Sequence, residues 1–397
     1  MQVILFDDSR IADLHPFTLT RAASELRTGI LTHREKWDLW LGEKSFVQTR
    51  NYLSALYPEP NISATLYING ALLPDENCVA QARKLKPGEK LISNERLLMA
   101  CSSEKMGFDV ESSVKDFKSL SFEGNPSLVQ FAWNIFTWND KEIKSDFALI
   151  TKGRKSASMS ATNQVVNDTN VFIEEGAVVE FSIINASAGP VYIGRQAEVM
   201  EGCIIRGPFA LGEQAVLKMG TRIYGATTIG KGCKAGGEIS NSIIYANSNK
   251  AHDGFLGNSV VGEWCNLGAD TNNSNLKNNY GEVSVWNYPA QQYIKTGLQF
   301  CGLLMGDHSK CGINTMFNTG TTVGVCANIF GAGFPDKYIP SFTWGGTGES
   351  EVFLLDKALD LAARVMERRG KNMEDAEKNV LTHLFMEQLK PVSGSED

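Results

Sequence analysis

Residues 175–236 read EGAVVEFSIINASAGPVYIGRQAEVMEGCIIRGPFALGEQAVLKMGTRIYGATTIGKGCKAG, with a glycine at every eighteenth position. These glycines are Gly176, Gly194, Gly212 and Gly230, and Gly236 follows six residues later. The preceding residue is aliphatic in three of the four cases, and the third residue after each glycine is short or small. Hexapeptide repeats form the flat sides of a triangular β-helix, with eighteen residues to a coil. Glycine allows a tight corner where a Cβ atom would clash.

The repeat frame therefore predicts a left-handed parallel β-helix, with coils running from about Gln164 to Gly345, in a domain at 156–346. Each coil buries its apolar face only against the next one, so several coils are needed for stability. We expect the phase to break at Ala269–Ala290, which is rich in Asn and Tyr and should project as a loop.

Composition narrows the possible classes of protein. The chain has 397 residues, a net charge of −7 and no basic block, so a nucleic-acid partner is not expected. Acidic residues interrupt the apolar N-terminal stretch, and no apolar run reaches bilayer length, so we expect neither a signal peptide nor a membrane segment. The eight cysteines include no Cys-x-x-Cys pair, which favours a reduced, cytoplasmic protein.

The region before the repeats follows a different pattern. Val3–Phe6 and Thr65–Ile68 read as buried strands, and Thr32–Leu41 and Glu95–Met99 read as helical. Strands that alternate with helices predict a three-layer, Rossmann-like α/β domain with a mainly parallel sheet, which we place at 1–155.

The region after the repeats is predicted to be helical. Glu351–Arg369 carries apolar residues at helical spacing, and Glu374–Leu389 reads as a second helix. We assign 347–397 to a C-terminal helical segment that ends in a disordered tail at Pro391–Asp397.

Three segments in the repeats carry candidate chemistry: Lys250–Asn258 (KAHDGFLGN), Asn266–Thr271 (NLGADT) and Asn278–Gly281 (NNYG). In order and spacing they resemble the acetyltransferase domain of the bifunctional UDP-N-acetylglucosamine pyrophosphorylase/glucosamine-1-phosphate acetyltransferases. The similarity covers roughly residues 206–330. It implies an acyl transfer from acetyl-CoA or another acyl-CoA to an amino sugar.

The resemblance also implies roles for single residues. His252 would be the general base, and the ordinary pKa of histidine suits removal of a proton from an acyl acceptor near neutral pH. Asn279, Tyr280 and Lys250 would bind the acceptor. Ala251 replaces a family glycine, and the family's phosphate-binding lysine is missing near Gly237–Ser240. The acceptor is therefore expected to differ from glucosamine 1-phosphate.

The N-terminus resembles the opening of the sugar nucleotidyltransferases, at Val3–Arg10 (VILFDDSR) and Leu14–Arg21 (LHPFTLTR), but without their glycines. From Phe6 to Trp37 the chain resembles a divergent branch of that family. Later segments, FTWGG at 342–346 and MERRG at 366–370, are similar to the same branch.

This second resemblance implies a nucleotide site and a possible metal site. Arg10, Arg21 and Arg27 would hold phosphate in place of a glycine cradle. Asn69, which we also expect among the nucleotide- and phosphate-binding residues, stands where the family has the acid that binds Mg²⁺. We expect Asp7, Asp8 or Asp140 to supply the metal ligand instead.

Three functions remain open from the sequence. The chain would be a transferase that joins a sugar 1-phosphate to a nucleoside triphosphate and acylates an amino sugar, in UDP-N-acetylglucosamine-type metabolism. Alternatively, it is an acyltransferase with a degenerate N-terminal domain. In the third alternative the β-helix only assembles subunits of a nucleotidyltransferase. We expect a homotrimer, because closed cyclic symmetry buries the side faces of parallel β-helices.

Overall fold

The computed structural model describes residues 2–58 and 65–389. These residues form two compact units, 2–27 with 31–132 and 28–30 with 133–389. Within the described ranges, no helix combines the length and the apolarity that crossing a bilayer requires.

The first unit is built on a six-stranded mixed sheet with the order β2-β1-β3-β5-β4-β6. Three neighbouring pairs are parallel, whereas β3–β5 and β4–β5 are antiparallel, so the sheet is less uniformly parallel than the sequence predicts. The strands are β1 (Gln2–Phe6), β2 (Phe46–Gln48), β3 (Thr65–Asn69), β4 (Glu89–Ser93), β5 (Arg96–Ser102) and β6 (Lys118–Ser121). The predicted α/β architecture is confirmed.

One helix prediction is wrong. Glu95–Met99 falls largely within β5, whose seven residues are all buried in the centre of the sheet. Periodicity alone does not distinguish a short buried strand from a buried helix. The turn before β5 gives the clearer signal, because Asn94 and Glu95 have φ values of 48° and 63°. Two successive positive φ values are typical of a tight β-hairpin turn.

Seven α-helices occur in the described residues. The predicted helix at Thr32–Leu41 is confirmed, since Thr32 and Glu35 form a reciprocal capping box at its start. The helices are α1 (His33–Leu41), α2 (Glu76–Ala82), α3 (Val110–Ser113), α4 (Asn134–Thr137), α5 (Asn139–Thr151), α6 (Leu355–Glu367) and α7 (Asp375–Gln388).

The second unit is a parallel β-helix of the kind that the repeat predicts, and the left-handed type fits it. Its strands stack into three sides. The first side holds β7 (Gln164–Val166), β10 (Ile183–Asn185), β13 (Ile204–Arg206), β16 (Arg222–Tyr224), β19 (Glu238–Ser240) and β22 (Phe255–Gly257), followed by the pair β25 (Asn272–Asn273) and β30 (Met316–Phe317).

The other two sides run alongside for most of the stack. The second side holds β8 (Val171–Ile173), β11 (Val191–Ile193), β14 (Phe209–Leu211), β17 (Thr227–Ile229), β20 (Ile243–Ile244), β23 (Val260–Val261), β28 (Leu304–Met305), β31 (Thr322–Val323) and β33 (Tyr338–Ile339). The third side holds β9 (Val178–Val179), β12 (Glu198–Val199), β15 (Val216–Leu217), β18 (Lys234–Ala235), β21 (Asn249–Lys250), β24 (Asn266–Leu267), β29 (Lys310–Cys311), β32 (Asn328–Phe330), β34 (Thr343–Gly346) and the antiparallel β35 (Glu351–Val352).

Close stacking explains the repeated glycines. A Cβ atom on Gly194 would lie 2.7 Å from the amide nitrogen of Glu213 in the next coil, and one on Gly212 would lie 2.6 Å from that of Lys231. Both distances are too short for non-bonded heavy atoms, so only glycine fits at these corners. Aliphatic side chains fill the interior together with cysteines, and all eight cysteines of the chain are buried.

Strand pairing corrects the placement of Gly176. Val191 pairs with Phe209 across eighteen residues, whereas Val171 pairs with Val191 across twenty. The first coil is therefore two residues longer than the repeat. As a result Glu174, and not Gly176, occupies the position equivalent to Gly194, with its amide bonded to the carbonyl of Ile193.

The excursion from the coils begins later than predicted. Residues 268–271 form an ordinary corner, and β25 after it pairs within the stack. The chain then leaves the stack and returns at β28, which pairs with β23. The inserted segment carries an antiparallel hairpin of β26 (Ser284–Asn287) and β27 (Gln292–Lys295).

The predicted C-terminal helices are confirmed as α6 and α7. The predicted tail at Pro391–Asp397 lies outside the described residues. Helix α5 belongs to the second unit, where the side-chain amide of Asn139 donates to the Ala226 carbonyl at 2.9 Å. The domain limits at 155 and 346 stay predictions.

We expect Gly212→Ala to lower the free energy of unfolding by about 1–3 kcal/mol or more, because its Cβ would overlap the next coil. Gly312→Ala is the matched control, since a Cβ there would meet no atom closer than 3.7 Å. Its effect should stay within about 0.5 kcal/mol. Urea unfolding followed by circular dichroism measures both, and equal losses in the two variants would contradict the stacking argument.

Candidate functional site

The corner between the third and first sides changes length around His252. Only Gly236 and Gly237 separate β18 from β19, whereas four residues form the corner before it (218–221) and the corner after it (251–254). The shorter corner leaves a recess between two longer ones.

We call this recess the corner cleft, and its volume is about 590 Å³. It is lined by Lys218, Met219, Gly236, Gly237, Ala251, His252, Asp253, Ala269 and Asp270. The two glycines at its base cannot be replaced without displacing the His252 corner. A Cβ atom on Gly236 would lie 2.6 Å from the Ala251 carbonyl oxygen, and one on Gly237 would lie 2.7 Å from that of Gly254.

A second cleft lies between the third side and helix α6, with a volume of about 620 Å³. We call it the α6 cleft. Outward-facing side chains of successive strands form its floor: Lys234, Asn249, Asn266 and Lys310. Leu361, Val365, Arg368 and Arg369 line it from α6 and the residues that follow.

The charge of the α6 cleft is one-sided. Lys234, Lys310, Arg368 and Arg369 line it, and no carboxylate does among the described residues. Arg369 is tied to two successive coils, because it donates to the Gly232 carbonyl at 2.7 Å and to Asn249 Oδ1 at 2.8 Å. Lys371 lies over the ring of Trp264, another wall residue, with 5.4 Å between its Nζ and the ring centroid. The cleft therefore suits an anionic ligand.

His252 lines both clefts, together with Ala251 and Ala269. Its side chain is exposed, and the ring makes no hydrogen bond within the described part of the chain. A ligand in either cleft can therefore reach the imidazole.

Lys250 has a different environment from the one the sequence suggests. It is 2% exposed, and its ammonium donates to backbone carbonyls of both corners. Burial lowers the pKa of Lys250 to about 8, although Asp253 and Asp270 act in the opposite direction. Acceptor binding by this ammonium has no support from the geometry.

Asn279 and Tyr280 lie in the inserted segment. Tyr280 is 69% exposed, and the Asn279 side chain accepts a hydrogen bond from the Gly281 amide. Among the described residues, the walls of the two clefts are formed without either side chain. Their role in acceptor binding stays a prediction.

The N-terminal unit has its own cleft of about 580 Å³ beside the loop after β1. Asp7, Asp8, Ser9 and Arg50 line one part of it, and residues 108–112 line another. The Ser9 amide donates to the Glu111 carboxylate at 2.8 Å. The Glu111 carboxylate thus already occupies the backbone donor that this loop would offer to a phosphate.

None of the three predicted phosphate ligands lines this cleft. Arg10 is exposed, and its amide donates to Asp8 Oδ1 at 3.1 Å. Arg21 is buried, and its carbonyl accepts from Arg50 at 3.2 Å. Arg27 forms an ion pair with Glu35 at 3.6 Å.

Asn69 joins a buried network. Its amide nitrogen donates to Asp8 Oδ2 at 2.7 Å and to the Leu97 carbonyl at 3.1 Å, and its oxygen accepts from the Ala71 amide at 3.0 Å. Arg96 donates to the same Asp8 oxygen at 2.6 Å. A nucleotide contact by Asn69 would break this network.

The predicted metal ligands do not fit a Mg²⁺ site. Arg96 neutralises Asp8, while Asp7 accepts from Thr49 and lies 3.7 Å from Arg50. Burial raises the pKa of Asp7, opposed by the Arg50 guanidinium. Asp140 belongs to the second unit and pairs with Lys144 at 2.7 Å. No cluster of three or more His, Cys, Asp or Glu residues suited to a metal ion occurs in the described ranges.

Sequence reasoning missed several charged residues. Arg50 and Arg96 have no motif of their own, and Arg96 lies in the segment predicted to be helical. Lys234 and Arg368 could have been found, since an outward lysine in the repeat frame and a basic helix end are both readable from the sequence.

Comparison with known proteins supports a transferase, with an N-terminal domain of the sugar nucleotidyl transferase type and similarity to acetyltransferases. Residues 3–155 match the family model described as sugar nucleotidyl transferase. The chain is similar, at modest sequence identity, to GlmU-like bifunctional enzymes.

Curated relatives include an acetyltransferase and bifunctional enzymes. The uncharacterized acetyltransferase YaiX of Escherichia coli O6:K15:H31 (strain 536 / UPEC) is 29% identical over 164 residues, which are 41% of this chain and 70% of that protein. The bifunctional protein GlmU of Methanocaldococcus jannaschii is 33% identical over 27% of this chain and 26% of its own length. The bifunctional sugar-1-phosphate nucleotidylyltransferase/acetyltransferase of Sulfurisphaera tokodaii is 30% identical over 36% of this chain and 35% of its own length.

We expect Asn69→Asp to destabilise the protein by about 3–5 kcal/mol, because it buries a second carboxylate beside Asp8 and removes two donated hydrogen bonds. Thermal unfolding with and without Mg²⁺ measures this loss. Exposed Asn125→Asp is the control and should change little. Wild-type stability of Asn69→Asp in the absence of Mg²⁺ would contradict the network.

Proposed function

We propose that the β-helix transfers an acyl group from a thioester donor to the amine of a sugar, with His252 as the general base. The observation that carries this proposal is the position of His252 on the wall shared by two clefts of opposite chemical character. One cleft would hold the donor and the other the acceptor, with the imidazole between them.

The α6 cleft suits the donor. Acyl-CoA is a long molecule whose phosphate groups are strongly negative, and this cleft is elongated along the strand column and lined by cations. Arg368 and Lys234 would contact the phosphates by charge-assisted hydrogen bonds. The apolar side chains of Leu361 and Val365 would cover the uncharged arm.

The corner cleft suits the acceptor. The Asp253 and Asp270 carboxylates would accept hydrogen bonds from the neutral amine, and Lys218 offers a cation for a phosphate on the same sugar. In the reaction the imidazole of His252 takes a proton as the amine nitrogen attacks the thioester carbonyl carbon. The tetrahedral intermediate then expels the thiolate, which takes the proton back from the imidazolium. Backbone N–H groups of the corners are the candidate donors to the oxyanion.

For the N-terminal unit we propose binding of a sugar nucleotide or sugar phosphate in the cleft beside Ser9. The family match over 3–155 supports this proposal. Arg10 is the candidate phosphate ligand because it is exposed next to Ser9. Four acids line the cleft, so a polyphosphate would have to displace Glu111 from the Ser9 amide. Weak nucleotide turnover is therefore expected.

We expect His252→Ala to lower kcat for acyl transfer by roughly 10²–10⁴, which is the usual loss on removal of a general base. The assay measures thiol release from acetyl-CoA with a panel of amino sugars and amino sugar phosphates. Stability should change little, since the side chain is exposed. An undiminished rate in the variant, or no thiol release by the wild type with any acceptor, would contradict the proposal.

We expect Arg368→Ala and Lys234→Ala each to raise KM for acetyl-CoA about 10- to 150-fold, because one charge-assisted hydrogen bond contributes roughly 1.5–3 kcal/mol. The matched control is Lys231→Ala, whose ammonium pairs with Glu213 at 2.8 Å outside both clefts. If Lys231→Ala has the same effect as Lys234→Ala, the donor is not held in the α6 cleft.

A further inference from the structure

Lys250 occupies an interior position of the β-helix. Its strand partner towards the N-terminus is Ala235, which itself pairs with Leu217. Both partners belong to the apolar core, so a lysine interrupts the aliphatic pattern of this column. The small Ala235 leaves room for the long side chain. Burial of an ammonium costs free energy, so its presence calls for a compensating contact.

The compensating contacts are three backbone carbonyls. The ammonium donates to Gly236 at 3.1 Å, to His252 at 2.7 Å and to Asp253 at 3.1 Å. An ammonium has three protons, so every donor has an acceptor. Gly236 belongs to the short corner, and His252 and Asp253 belong to the long corner above it. One side chain thus joins the short corner at the base of the corner cleft to the corner that carries His252.

We propose that Lys250 is a positioning residue, which fixes the corner carrying His252 from inside the β-helix. This inference rests on the proposed role of His252 as the base. The His252 ring makes no hydrogen bond within the described residues, so its location is set by its backbone. That backbone is held by the ammonium on one side and by the stacked glycines on the other.

If Lys250 served only to stabilise the fold, Lys250→Met would lower the free energy of unfolding. Replacing a buried cation with an apolar side chain of similar length often leaves stability unchanged or raises it. Lys250→Met keeps the length of the side chain and suits the apolar column. If Lys250 serves positioning, the variant should remain stable while the His252 corner becomes more mobile.

The test compares Lys250→Met with the interior control Leu217→Met, which lies in the same column two coils away. We expect Lys250→Met to lower kcat by about 10- to 100-fold with unchanged KM for acetyl-CoA, since misplacement by about 1 Å has effects of this size. In a His252→Ala background, Lys250→Met should cause no further loss, because it acts through the imidazole. An equal loss in both backgrounds would overturn the proposal.

Hydrogen–deuterium exchange gives a readout that does not depend on activity. Peptides that contain residues 251–254 should exchange faster in Lys250→Met than in the wild type or Leu217→Met, whereas those at 218–221 should not change. If these peptides exchange faster in Lys250→Met but the wild type shows no acyl transfer, the positioning contact is supported and only the proposed function is rejected. Unchanged exchange at 251–254 would overturn the role of Lys250, whatever the activity.

Discussion

The close approach of successive coils is the constraint on which the rest of the second unit depends. At Gly194 and Gly212 the backbone of the next coil lies where a Cβ atom would be. Parallel strands with a paired neighbour at both edges have a fixed register, because a one-residue slip would turn the interior side chains outward. A change in chain length therefore cannot be absorbed inside a side and must appear at a corner. The corner cleft is a direct result, because the short corner at Gly236–Gly237 lies between longer corners.

Electrostatics then separates the two clefts. The outward column on the third side presents amides and lysines towards α6, while Asp253 and Asp270 project from the corners. His252 lies between these surfaces with no acid or base bound to its ring in the described residues. The chemistry of the site follows from where charged residues fall along a regular backbone, and requires no distortion of the coils.

The sequence predicted the features that follow from periodicity. The eighteen-residue repeat gave the β-helix, and apolar spacing gave α6 and α7. Gly176 was misplaced because an extra two residues in the first coil leave the local pattern intact. The strand at Arg96–Ser102 was missed because a short buried run has no period of its own. The network of Asp8, Asn69 and Arg96 joins residues far apart in the sequence, so no local pattern could show it. His252 was found through its motif, but the interior direction of Lys250 depends on strand register.

The inserted segment between β25 and β28 has an evolutionary consequence. The chain leaves the stack, forms a hairpin and returns to pair β28 with β23 as though nothing intervened. Selection can therefore lengthen, shorten or exchange material at a corner while the core residues stay fixed. New substrate preferences can arise in such a scaffold by changes of length alone, and related chains with similar cores need not share the same acceptor.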